Sequence, residues 1–142
     1  MLTHSLNAIR AILPQLTPLP RAVVEAVLWV EGPIGPARAV AEELGLRNRF
    51  TLARLLKGAG LPPLHRLAEW TTVLSWVAAA ERNGSSLCRL AFRSGRHPSA
   101  CYRLVREVTG LSWKAVRERG AAWVERQLIH EVRRCGRGLK VS

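Results

Sequence analysis

Residues 94–113, SGRHPSACYRLVREVTGLSW, set a glycine, small polar residues, a histidine and a proline ahead of a segment that carries Arg103 and Arg106. A catalytic turn would bring paired carboxylates, a nucleophile with its base, or metal ligands to such a place. Beside one carboxylate, Glu107, the stretch offers mainly guanidinium groups, hydroxyls and one phenol, which donate hydrogen bonds to anions. The chain has no Asp; its ten acids are all Glu, and no paired carboxylates stand with a His for general acid–base work. Cys88, Cys101 and Cys135 are an odd, widely spaced set without C-x-x-C, so neither a disulfide framework nor a zinc site is expected. Cys101 reads as a small core residue and His4, His65 and His130 as surface residues. No enzyme, cofactor or metal is expected.

Charge points to a partner instead. Lys+Arg number 22 against 10 Glu, a net charge of +12. Nineteen of the cations are Arg, the side chain suited to planar, bidentate contacts with phosphate and guanine. The excess is uneven: residues 1–71 hold 8 cations and 5 Glu, residues 72–142 hold 14 and 5. Such a balance implies a polyanionic partner. The N-terminal MLTHSLNAIRAIL lacks the pattern of an export signal, and no apolar run is long enough for a membrane span. The expected location is the reduced cytoplasm, on the nucleoid, with no membrane contact.

Elements that could position these cations are helical almost throughout, and no strand pattern is found. LNAIRAIL predicts a first short helix; RAVVEAVLWVE, with Val23, Val24, Val27, Leu28 and Glu31 at helical spacing, predicts a second, opened by Pro20. Pro36 opens ARAVAEEL, which ends at Gly45, and a further helix runs from about Asn48 to Lys57. Leu67, Trp70, Leu74 and Val77 mark a long amphipathic helix that NGSS ends while capping SLCRLAF. Pro98 opens a helix to Thr109, Gly110 closes it, and Ser112 caps another to Arg119. AAWVERQLIHEVRRC is the last helix, before the tail GRGLKVS. Tryptophans at these spacings read as core, Trp70 foremost. Trp76 lies off the main stripe and is expected to be exposed or to meet the terminal helices.

The chain also echoes itself. Ala41, Gly45, Gly60 and Leu61 recur as Ala91, Gly95, Gly110 and Leu111; between the glycines, Leu52, Arg54, Leu56 and Lys57 match Cys101, Arg103, Val105 and Arg106 one residue earlier. Each unit is a short helix, a glycine turn and a second helix, with the turn one residue longer in the first copy. That is the pattern of a helix-turn-helix, whose second helix enters the major groove. Leu52, Leu55 and Leu56 are expected to face inward in the first copy, and Cys101, Leu104, Val105 and Val108 in the second. This leaves Arg47, Asn48, Arg49, Thr51, Arg54, Arg96, His97, Ser99, Ala100, Tyr102 and Arg103 as candidates for base contact. Lys57, Arg106, Lys114, Arg117 and Arg119 are candidates for phosphate contact. A linker helix of about 19 residues spans roughly 28 Å, against about 34 Å between successive major grooves on one face of DNA. One monomer therefore suffices to place both units.

Residues 20–120 resemble the DNA-binding domain of AraC/XylS-type transcription regulators. The stretch LCRLAFRSGRHPSACYRLVREVTGLSW carries most of the likeness, through Ala91, Gly95, Pro98-Ser99-Ala100, Arg103, Arg106 and Thr109-Gly110. VAEELGLRNRFTLARLLKGAGLPP is similar to the family's first unit. The chain departs from the family pattern at Leu56, Cys101 and Val105, where large aromatics are usual, at Trp113 in place of a proline, and near Thr71 and Thr72, where an arginine is usual. The resemblance implies an all-α fold of two helix-turn-helix subdomains joined by a long linker helix, with extra N- and C-terminal helices. The expected boundaries are 1–18, 19–62, 63–84, 85–120 and 121–142. It further implies a stand-alone regulator of transcription on double-stranded DNA, with RNA polymerase or another protein as a further partner. Two alternatives stay open: a sequence-tolerant architectural or mobile-element DNA binder, and a protein-binding adaptor on a degenerate helix-turn-helix scaffold.

Overall fold

A computed structural model describes residues 3–30 and 37–137. Among them the fold is all-α. The helices are α1 (Thr3–Ile12), α2 (Pro18–Val30), α3 (Ala37–Glu43), α4 (Arg49–Gly58), α5 (Leu64–Asn83), α6 (Leu87–Arg93), α7 (Pro98–Thr109), α8 (Trp113–Arg119) and α9 (Ala121–Arg137). Glu31 and Pro36, and most of the tail expected after α9, lie outside the described residues.

Local chemistry explains the boundaries. Asn48, Ser86, His97 and Ser112 each accept a backbone N–H at the start of the following helix. Each cap thereby satisfies one of the donors a helix start leaves free. Pro98 at the first turn of α7 needs no N–H partner.

The internal echo is a repeat of hydrogen bonds as well as letters. After α3, Leu46 N–H donates to Ala41 C=O at 2.8 Å and Gly45 N–H to Glu42 C=O at 3.0 Å. After α6, Arg96 N–H donates to Ala91 C=O at 3.0 Å and Gly95 N–H to Phe92 C=O at 3.3 Å. This paired closure requires a left-handed residue, and Gly45 and Gly95 sit at φ 72° and 71°. Both alanines at the turns are fully buried. The following cap lies three residues after the glycine in the first copy and two in the second, so the extra residue falls in the turn.

Helix α5 is the axis of the fold. It packs against α2, α6, α7, α8 and α9, while α1 bridges α2 and α9. The buried apolar side chains form one continuous cluster that takes in α1 and α9 with the two repeated units. Leu52 and Leu56 match Cys101 and Val105 as inward residues at 1% exposure or less, whereas Leu55 and Leu104 are only half-buried.

Of the two settings expected for Trp76 the exposed one is overturned, and so is the core position expected for Trp29. Trp76 is 6% exposed, because the α5 surface is covered nearly all round and few positions on that helix meet solvent. Trp29 is instead the open tryptophan, 70% exposed near the end of α2, beyond the buried run Val23, Val24, Val27 and Leu28.

Glutamates fasten α9. Glu81, near the end of α5, accepts the Ala121 N–H at 2.7 Å. Glu125 accepts from Ser5 Oγ at 2.8 Å and is bonded to His4, holding α1. Glu131, 8% exposed, accepts from Arg66 Nε at 3.0 Å, Arg66 Nη2 at 3.0 Å and Trp70 Nε1 at 2.9 Å. Arg66 Nη2 also reaches Val108 C=O at 3.4 Å, so one network touches α5, α7 and α9. Burying these polar atoms is tolerable because each has a partner.

Candidate nucleic-acid interface

The first turn of α4 is built on Asn48. Its Oδ1 accepts from Thr51 N–H at 3.0 Å and Thr51 Oγ1 at 3.2 Å. That commits the carbonyl half of the amide to the cap, whereas pairing with adenine uses both halves. Thr51 is half-buried, and Arg54 Nη2 lies 3.5 Å from its hydroxyl. Arg47, Arg49, Arg54 and Lys57 are exposed, and Arg49 stacks over the Phe50 ring, 5.0 Å from its centre.

At α7 the corresponding cap is His97. Its Nδ1 accepts Ser99 N–H at 3.2 Å and lies 2.7 Å from Ser99 Oγ. The tautomer that accepts there carries its proton on Nε2. Ser99, Ala100, Tyr102, Arg103 and Arg106 are exposed along α7. Tyr102 OH lies 3.7 Å from Cys88 Sγ, and that hydrogen bond holds the phenol above its ordinary pKa. Arg96 is half-buried, its guanidinium 5.8 Å from the centre of the Trp76 ring on α5. Packing on tryptophan is a competing use for a side chain that the sequence places at a DNA surface.

The cations of the two turns and second helices carry no carboxylate partner among the described residues. Among the described residues none of Arg47, Arg49, Arg54, Lys57, Arg96, Arg103 and Arg106 makes an ion pair; those seen are Arg21–Glu25, Arg38–Glu42, Arg66–Glu131, Arg134–Glu131 and His4–Glu125. Glu81, Glu125 and Glu131 join elements of the fold, and both second helices keep a net positive charge. Of the proposed phosphate contacts beyond α7, Lys114 and Arg117 edge a shallow hollow beside Trp113 and Glu118. Arg119 lies over the Trp123 ring at 5.2 Å.

The structure also brings together residues that sequence reasoning kept apart. Arg49 and Lys57 of the first unit and Arg96 of the second line one cleft, with Leu52, Leu56, Leu64 and Leu104 among its apolar walls. Arg54, Arg103 and Arg106 are not part of it. Sequence reasoning missed Phe50 and Phe92, which are 60% and 85% exposed. Their signal was present, since each sits opposite the buried stripe of its own helix, Leu52 and Leu56 in one and Leu87, Leu90 and Ala91 in the other.

Cys101 is fully buried, and burial pushes its thiol up while Arg96 pulls it partly back. A thiol held in that form is a poor nucleophile. No helix among the described residues is long and apolar enough to cross a membrane. No protein-family model matches the chain, and no significant match is found among curated proteins or solved structures.

Proposed function

We propose that this chain is a transcription regulator of the AraC/XylS type that binds double-stranded DNA through two helix-turn-helix units. The observation that carries this reading is the twice-built turn: the same paired hydrogen bonds around Gly45 and Gly95, each followed by a capped helix with unpaired arginines on its open face. Arg54 and Arg103 occupy matching positions in the two helices and are the base-contact residues on which the reading leans most. Lys57, Arg106, Lys114, Arg117 and Arg119 supply phosphate contacts that set orientation. The 20 residues of α5 span about 30 Å, the scale of one DNA helical turn.

A second reading is favoured by the caps. Asn48 Oδ1 and His97 Nδ1 are engaged within their own turns and Arg96 packs on Trp76, leaving arginines as the main open donors. A surface dominated by backbone charge suits a sequence-tolerant binder.

Fluorescence anisotropy with a random duplex pool, titrated against salt and followed by sequencing of the bound fraction, separates the two. Five phosphate contacts give a log–log salt slope of about −4.5. An enriched motif about two turns long, relaxed at single positions by Arg54→Gln or Arg103→Gln, supports the regulator. The same slope without a motif supports the tolerant binder. Binding no tighter than that of unrelated basic proteins overturns both.

A further inference from the structure

The cleft between α4, α5 and α7 has a volume of about 790 Å³, a size typical of small-molecule sites. Its walls are mainly apolar, formed by Leu52 and Leu56 of α4, Leu64 and Ala68 of α5 and Leu104 of α7. Three cations, Arg49, Lys57 and Arg96, share that lining with one carboxylate, Glu69, and with His65. None of the three cations makes an ion pair among the described residues. Apolar walls beside guanidinium groups that make no ion pair, in a lining whose cations outnumber its one carboxylate, suit an amphipathic anion: the tail leaves water against leucine, and the head group takes charge-assisted hydrogen bonds.

We infer that this cleft is a binding site for a free small-molecule carboxylate with an aliphatic or aromatic body. The occupant touches helices of both repeated units at once, so its binding favours the spacing of α4 and α7 that fits it. It also draws on Arg49, Lys57 and Arg96, which the reading above assigns to DNA. Carboxylate and duplex therefore oppose each other, and each weakens the other by the same factor. That coupling rests on the DNA-binding reading; the site itself does not.

The test titrates octanoate, and octan-1-ol as its uncharged counterpart, into the full ¹⁵N-labelled chain without DNA. The expected result is a single saturable site with amide shifts at Leu52, Leu56, Leu64 and Ala68, and with octanoate at least tenfold tighter than octanol. Arg96→Gln weakens octanoate about tenfold and leaves octanol unchanged. Ala53 is exposed and lines the same cleft, so Ala53→Phe fills it without crowding the core and abolishes binding of both. Octanol binding as tightly as octanoate overturns the proposal, as does shift mapping to another face. Self-association of the chain that Ala53→Phe removes, with no octanoate site, assigns the cleft to a second copy and also overturns it. In a separate arm, saturating octanoate lowers duplex affinity. Because the octanoate titration contains no duplex, its failure removes the site alone, whereas absence of duplex binding removes the DNA reading alone.

Discussion

Glu131→Ala is the substitution whose cost the structure sets most clearly. The carboxylate is 8% exposed and accepts from Arg66 through two nitrogens and from the Trp70 indole, with Arg134 3.5 Å away. Removing it leaves the Trp70 N–H in the core without its acceptor, a loss of about 1–3 kcal/mol. It also leaves the Arg66 guanidinium unpaired. Breaking a fully buried pair costs about 3–5 kcal/mol, but the Arg66 side chain is 29% exposed and recovers part of its hydration, so the lower end applies. The two costs share one network and overlap, which gives about 3 kcal/mol in total. For a chain of 142 residues this lowers Tm by roughly 10 °C. Glu131→Gln keeps the shape and one acceptor oxygen, and is expected to lose about half as much. Urea denaturation followed by tryptophan fluorescence measures both variants. A loss below about 0.5 kcal/mol for Glu131→Ala would show that α9 is not fastened through this group and would refute the reasoning.

Other outcomes follow from the turns and the thiols. Gly45→Ala and Gly95→Ala meet no steric obstacle, so each is expected to cost only the left-handed backbone, about 1–2 kcal/mol, and equally if the two turns are equivalent. Gly120→Ala is expected to cost more in the same denaturation series, because φ 90° with ψ 168° is a backbone region open essentially to glycine alone, and the new Cβ also displaces the Glu81 carboxylate from the Ala121 N–H. Cys88 is exposed and Cys101 buried, so a thiol reagent should label Cys88 in the folded chain and Cys101 only as it unfolds. Burial raises the Cys101 and Cys135 thiols above their ordinary value of 9.0. The unfolded chain then releases these protons first, so their contribution is intact below about pH 9 and is lost as pH rises further. Cys101→Ala should flatten that alkaline decline in a Tm–pH series; an unchanged decline would assign it to other groups.

Most of the helices, and the duplicated turn with its extra residue in the first copy, were legible in the sequence because their causes are local. A glycine at positive φ, a proline at a first turn and a polar residue before an apolar period act within a few residues of one another. So Pro98–Thr109 and the caps Ser86 and Ser112 could be read from the letters, as could the inward pairs Leu52/Cys101 and Leu56/Val105. The open positive faces were legible too, since residues 46–58 and 94–106 contain several cations and no acid. Side-chain competition was not. Asn48 and His97 looked like readers of bases because their types suit that task, yet the same atoms also close their own helix starts. Only the tertiary structure decided the rest. Glu131 meets Arg66 across 65 residues of chain and Glu81 meets Ala121 across 40, distances over which no periodicity carries information. Trp76 is buried and Arg96 lies on it because α5 is surrounded by other helices, and that enclosure is a property of the packing. The cleft belongs to the same category, since its walls come from helices that meet only after the chain has folded.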